Sequence, residues 1–215
     1  AAGLDVPSHY YRPLALLTYG LDQRLFGWSP LAWHLTGYAI HVANALLVGA
    51  VMRALGGDAA RATAASALFL FFPLAPEVSI WFSGRYDVLA VTGMLIAVHA
   101  HLRAQGFDRW RVLSLFGFAL GLSAKEAAMP TPGLLVLASF LWVPQGTAFA
   151  DRVLRTLRAC WPAVALFFAY LGLRHGLFGS ALQVYPDGDP TAALGVGEIV
   201  RRLAALGSIP RAAFA

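Results

Sequence analysis

The sequence predicts an all-α, polytopic transmembrane helix bundle of about six spans, and three observations carry that reading. Only 13% of the 215 residues are Asp, Glu, Lys or Arg, while 59% are apolar. Soluble domains average about 25% charged residues, so half that charge cannot coat a water-soluble surface of this length. The apolar residues also fall in blocks approaching the ~20 residues that cross a bilayer. Finally, Trp28, Trp81, Trp110, Trp142 and Trp161 lie at the ends of these blocks, where an amphipathic indole prefers the membrane interface.

Taken in order, residues 1–30 read as an external loop segment, 31–190 as the bundle, and 191–215 as the start of a further amphipathic or membrane segment. The spacing predicts spans near 31–52, 61–82, 87–102, 111–124, 128–143 and 159–178. In the second, Pro73 and Pro76 remove backbone donors and should break or end the helix. The first carries a polar stripe, since His34, Gly37, His41 and Asn44 fall within about 80° of arc. Hydrogen bonds between helices account for His41 and Asn44, while His34, nearest the outer surface, is available to a site. His99 and His101, at the other end of the third span, read as interfacial.

The net charge of +5 and pI near 9.8 do not point to nucleic acid, because no basic patch is interleaved with stacking aromatics. They instead set orientation. Loops after the first, third and fifth spans hold Arg53, Arg61, Arg103, Arg109, Arg111, Arg152, Arg155 and Arg158 against Asp58, Asp108 and Asp151. The other side is acid-rich, so the positive-inside rule makes the first group cytoplasmic. Fifteen Arg against one Lys, with abundant Ala, Gly and Leu, fits a GC-rich bacterial genome. The expected location is therefore a bacterial inner membrane, with the amino terminus facing the periplasm. The lone Cys160 forms no internal disulfide, and no Cys/His pair has zinc-ligand spacing.

The charges on the outer side are the unusual ones. They crowd against apolar segments at Tyr10-Tyr11-Arg12-Pro13, at Glu77 with Gly84-Arg85-Tyr86-Asp87, and at Ser123-Ala124-Lys125-Glu126. Val112 to Ala124 gives about 20 Å of helix, against a hydrocarbon core of about 30 Å. Lys125 and Glu126 therefore sit at membrane depth or at the floor of a water-filled cavity, where ionisable residues are functional candidates. Neighbours in sequence do not face each other on a helix. Partners are expected across the bundle, for example Lys125 with Asp87 or Arg85 with Glu126. Structural ion pairing and a substrate site both remain open at this point.

With these residues in view, "YYRPLALLTYGLDQRLFG", "HLTGYAIHVANALLV", "FPLAPEVSIWFSGRYDVLA" and "LSAKEAAMPTPGLLVLASFLW" resemble the membrane part of the transmembrane-and-tetratricopeptide O-mannosyltransferases. Related multi-pass glycosyltransferases of the GT-C superfamily, including the protein O-mannosyltransferase group, share the pattern. "YLGLRHGLFG" fits a later span, and the resemblance covers about residues 8–180. It implies a GT-C-like bundle that moves a sugar from a polyprenyl-phosphate carrier to a protein, lipid or glycan hydroxyl on the non-cytoplasmic face. Carried over by position, Arg85 and Lys125 contact the donor phosphate, with Arg12 as a third cation. Tyr11 and His34 line the same substrate site, and Asp87, Glu126 and Glu77 orient the cations or the acceptor.

The resemblance places the main catalytic acid in the first external loop, after a first transmembrane helix. The chain starts inside that loop, so it reads as part of a longer protein and is expected to be inactive alone. No cofactor is expected beyond the lipid-linked donor; the residues leave a divalent metal open. Two other classes use the same charges: a transporter or flippase with a polar pathway, and a non-catalytic membrane scaffold.

Overall fold

The computed structural model of the chain describes residues 12–72, 81, 84–141 and 148–178. The described residues are all-helical. The helices are α1 (Pro13–Phe26), α2 (Pro30–Ala54), α3 (Ala59–Leu70), α4 (Gly84–Arg103), α5 (Arg109–Ala124), α6 (Thr131–Leu141) and α7 (Phe149–Phe178), with a 3-10 turn at Glu126–Ala128. One compact unit comprises Tyr11–Tyr170; residues 1–10 and 171–215 cluster separately, and of these only the end of α7 is described.

Within the larger unit, α2 lies against α3 and α4, α4 against α5 and α6, and α1 against α2, α4 and α5. The packing is inverted relative to a soluble bundle. Buried apolar positions are mostly alanines, including Ala90, Ala97, Ala100, Ala124 and Ala128, whereas Leu31, Leu46, Leu68, Phe116, Trp161 and Phe168 are exposed. Small residues at the seams let backbones approach closely, the arrangement by which helices associate in lipid.

The α4–α5 seam shows this most clearly. A Cβ on Gly93 would lie 2.5 Å from Gly121 Cα and 2.6 Å from the Gly117 carbonyl, and one on Gly117 would lie 2.8 Å from the Ala97 nitrogen. Ser114 donates across the same seam to the Ala97 carbonyl at 2.9 Å. Because the obstacles are backbone atoms, they cannot rotate away. Gly93→Leu is expected to destabilise the bundle by at least about 1–3 kcal/mol, the usual cost of overpacking. Gly20→Ala, where a Cβ meets nothing within 4 Å, is expected to be neutral or slightly stabilising. Detergent-unfolding curves of the two variants check the contrast.

Asp108 starts α5 by accepting from the Arg111 backbone N–H at 3.0 Å and also accepts from the Gln105 N–H at 3.1 Å. Those bonds favour the carboxylate and hold its pKa below the ordinary 3.8. A depressed folded-state pKa means the cap's contribution is full above about pH 4 and is lost as pH falls through the lowered value. Protection factors at the first α5 amides, corrected for the intrinsic pH dependence of exchange, should hold from pH 6 to about pH 4 and fall below it, and Asp108→Asn should flatten that dependence.

Among the described residues two helices, α2 and Phe149–Leu177 of α7, are long and apolar enough to cross a membrane. The described parts of the other expected spans do not meet that measure. α3 is short, α5 has 16 residues and α6 has 11, and α4 carries Arg85, Asp87, His101 and Arg103. Helix α7 begins ten residues before the expected 159, because Val153, Leu154 and Leu157 continue an apolar helical period through Arg152, Arg155 and Arg158. Pro73, Pro76 and the 191–215 segment lie outside the described residues.

Candidate functional site

The first turn of α4 holds Arg85, Tyr86 and Asp87. Successive residues on a helix point about 100° apart, so these three side chains leave the turn in three directions. Each meets a different neighbour, and together they gather Arg12, Asp22, Lys125 and Glu126 at one place.

Arg85 is directed inward. It forms an ion pair with Asp22 of α1, donates to the Trp33 carbonyl at 2.6 Å, and lies over the Tyr19 ring, 4.6 Å from its centroid. Thr36 donates to the other Asp22 oxygen at 3.1 Å. Arg85 is 5% exposed and Asp22 2%, so both charges are removed from water and satisfied inside.

Asp87 points to the end of α5, where Lys125 Nζ donates to both its oxygens at 2.6 and 2.8 Å. Lys125 reaches this position because it adopts extended backbone after Ala124, with φ −162° and ψ 149°, ending the helix and turning the chain into the 3-10 turn. Glu126, first in that turn, accepts from Arg12 at 3.1 Å. Arg12 also lies over the Tyr86 ring, 4.8 Å from its centroid. The outer pairs keep solvent contact, with side-chain exposures of 30% and 37% for Lys125–Asp87 and 19% and 15% for Arg12–Glu126.

Aromatic rings fill the space between the pairs. Tyr19 stacks on Trp33 and meets Tyr86 edge-on, both at 5.9 Å. Trp33 in turn stacks on Trp28 at 5.5 Å and donates its indole N–H to the Gly27 carbonyl at 2.9 Å.

The expected Lys125–Asp87 pair is present. Arg85 does not pair with Glu126: Asp22 is its acid partner, and Arg12 is the partner of Glu126. Asp22 is the member that sequence reasoning missed. Its signal was present, since Ala15, Tyr19 and Asp22 share one helical face, but residues 1–30 were read as loop. His34 is half-buried at the start of α2, and Tyr11 and Glu77 lie outside the described residues. Among the described residues no three His, Cys, Asp or Glu side chains are grouped to hold a metal ion.

The interior polar groups divide as expected, with one exception. Asn44 donates to the Val88 carbonyl at 2.9 Å and accepts from Thr92 at 2.8 Å, tying α2 to α4. His41 ties α2 to α3, with Nε2 3.4 Å from the Leu70 carbonyl oxygen and its ring stacked on Phe69. The exception is His101, which is buried and not interfacial. Arg111 donates to its Nδ1 at 2.6 Å, so the ring proton sits on Nε2, 2.5 Å from Ser139 Oγ. Cys160 lies 3.5 Å beyond Ser139. This network joins α4, α5, α6 and α7 at the far end of α4 from Arg85.

Comparison with known proteins places the chain beside one group. It is 29% identical over 153 residues to the protein O-mannosyl-transferase Tmtc1 of Drosophila melanogaster, covering 70% of this chain and 18% of that protein. It is 28% identical over 141 residues to TMTC3 of Mus musculus, covering 63% of this chain and 15% of the relative. TMTC3 of Homo sapiens matches at 28% over 129 residues. The chain thus spans less than a fifth of the length of the curated relatives it matches. No family model and no solved structure matches it.

Proposed function

We propose that this chain forms membrane-embedded machinery of a glycosyltransferase, moving a sugar from a polyprenyl-phosphate carrier to an acceptor hydroxyl on the non-cytoplasmic face. The similarity to protein O-mannosyl-transferases supports sugar transfer, and a protein is the acceptor their names suggest. In this reading all six expected segments are embedded, with the shorter ones meeting the bilayer beside α2 and α7. The Arg-rich loops lie on the cytoplasmic side, in a bacterial inner membrane.

The observation that carries the proposal is the contrast between the inner and outer ion pairs. Arg85 is consumed by Asp22, whereas Lys125 and Arg12 rest on carboxylates that still reach solvent. A lipid phosphodiester is a single anion that can exchange with such a carboxylate. Lys125 offers a point charge and Arg12 a planar fork for phosphate oxygens. Once phosphate takes Lys125, Asp87 is left facing the acceptor side with an open acceptor oxygen, able to orient or deprotonate a hydroxyl. The two cations then stabilise the departing lipid phosphate. One direct displacement at the sugar carbon inverts its configuration.

Arg85 acts behind this pair, fixing the turn that aims Asp87. His34, at the start of α2, is the further side chain offered to the substrate site. The donor's tail has an apolar path: a groove of about 400 Å³ between α4 and α6 is lined by Val91, Met94, Val98, Leu134 and Leu137. It begins one helical turn from Asp87.

The test is carrier turnover by the whole protein in proteoliposomes, using a polyprenyl-phosphate sugar labelled in the sugar. The expected result is label joined to an acceptor hydroxyl, with polyprenyl phosphate released. Label that crosses the bilayer still attached to its carrier contradicts the proposal and identifies a flippase.

A further inference from the structure

Where α4 turns into α5, at the opposite end of α4 from Arg85, we infer a binding site for the phosphate headgroup of an anionic diacyl phospholipid of the cytoplasmic leaflet. Its sidedness rests on the membrane reading of the chain. Arg103 is the last residue of α4 and Arg109 the first of α5. Both guanidinium groups lie over the indole of Trp110, with Cζ 5.0 and 5.5 Å from the ring centroid. His99, one turn before Arg103, meets the same ring edge-on with centroids 6.4 Å apart. The indole is thus held against α4 and gathers two cations from different helices.

Local rules leave these two cations without their counterpart. A cation suits the end of α4, where the helix dipole is negative, but Arg109 opens α5, where it is positive. Like charges brought to one place repel, and among the described residues neither arginine has a carboxylate partner. Asp108, the acid next in sequence, is taken up by the Gln105 and Arg111 backbone N–H groups. Other arginines of this side are engaged: Arg53 donates to the Gly57 carbonyl, Arg61 pairs with Asp58, Arg111 donates to His101, and Arg152 lies over Phe140. Arg103 and Arg109 are exposed, and what they lack is an anion that both can share. Two planar forks match the oxygens of one phosphate. The surroundings select a lipid as its carrier. Phe107 in the turn, and Val112 and Leu113 just inside α5, are exposed apolar side chains, and an indole sits at headgroup level. A basic pocket between helices, bordered by apolar surface on the cytoplasmic side, fits an anionic headgroup with its acyl chains along α5.

Native mass spectrometry of the whole protein, released from nanodiscs of phosphatidylethanolamine with increasing phosphatidylglycerol, tests this. The expected result is phosphatidylglycerol retained in preference to phosphatidylethanolamine. Arg103→Gln with Arg109→Gln should weaken that retention about 30-fold, and either change alone about 5-fold, from the attraction of each basic residue to anionic lipid. Arg155→Gln with Arg158→Gln removes two exposed arginines of the same side and should leave retention unchanged. Equal loss in the two double variants overturns the inference and means diffuse surface charge. Full retention in Arg103→Gln with Arg109→Gln also overturns it, and an inorganic phosphate adduct in place of the phospholipid overturns it in favour of a free-phosphate site. Protein that stays outside the nanodiscs overturns the membrane reading and the inference with it. Retention is read without sugar transfer, so a failed transfer assay is distinguishable from each of these.

Discussion

Replacing Asp22 with alanine is expected to destabilise the protein by about 3–5 kcal/mol, because it leaves the Arg85 guanidinium buried without its counter-charge. The remaining partners of Arg85, the Trp33 carbonyl and the Tyr19 ring, satisfy geometry but carry no full negative charge. The effect should spread: α1 would lose one tether, and the α4 turn that aims Asp87 would lose its fix. Asp22→Glu should recover part of the loss. Removing both charges with Asp22→Leu and Arg85→Met should recover most of it, since the penalty lies in the orphaned ion and not in the absent pair. Unfolding of the purified whole protein in mixed micelles measures all three. An Asp22→Ala cost within about 0.5 kcal/mol, typical of surface changes, contradicts the buried pair.

Lys125→Ala is expected to weaken donor binding by about 30- to 150-fold. Truncating one partner of a hydrogen-bonded charge pair typically costs 2–5 kcal/mol, and Lys125 retains enough exposure to place it at the lower part of that range. Stability should change less than in Asp22→Ala, because Asp87 can reach water when its partner is gone. Lys125→Arg should restore charge but not affinity in full, since a planar fork replaces a point charge. Titration of a fluorescent polyprenyl-phosphate sugar against the reconstituted variants reads the difference. Unchanged affinity in Lys125→Ala removes Lys125 from the site.

How much of this was legible in the sequence varies with the length scale of the signal. Helix α2 and the α4–α5 hairpin follow from local apolar period, and their bounds fall close to the expected ones. The role of Asn44 was legible because a lone amide in an apolar helix has few options other than bonding a neighbouring helix. Lys125–Asp87 was legible because a short α5 strands its terminal lysine near the start of α4. Arg85 was harder. Its choice between Glu126 and Asp22 depends on where α1 docks, and a 14-residue helix in a segment read as loop gives no sign of its docking partner. His101 was misplaced for a related reason. Proximity to a helix end suggests an interface, but Arg111, Ser139 and Cys160 come from three other helices and enclose it.

The central claim is that the charges gathered at the first α4 turn hold the donor's phosphate. Photo-crosslinking with a polyprenyl-phosphate sugar carrying a diazirine beside the phosphate tests it most directly, on the whole protein in proteoliposomes. The account predicts crosslinks confined to residues 84–87, 125–126 and 12, competed away by unlabelled donor and lost in Lys125→Ala. Crosslinks that spare those residues, or that gather at His101 and Cys160 instead, contradict it.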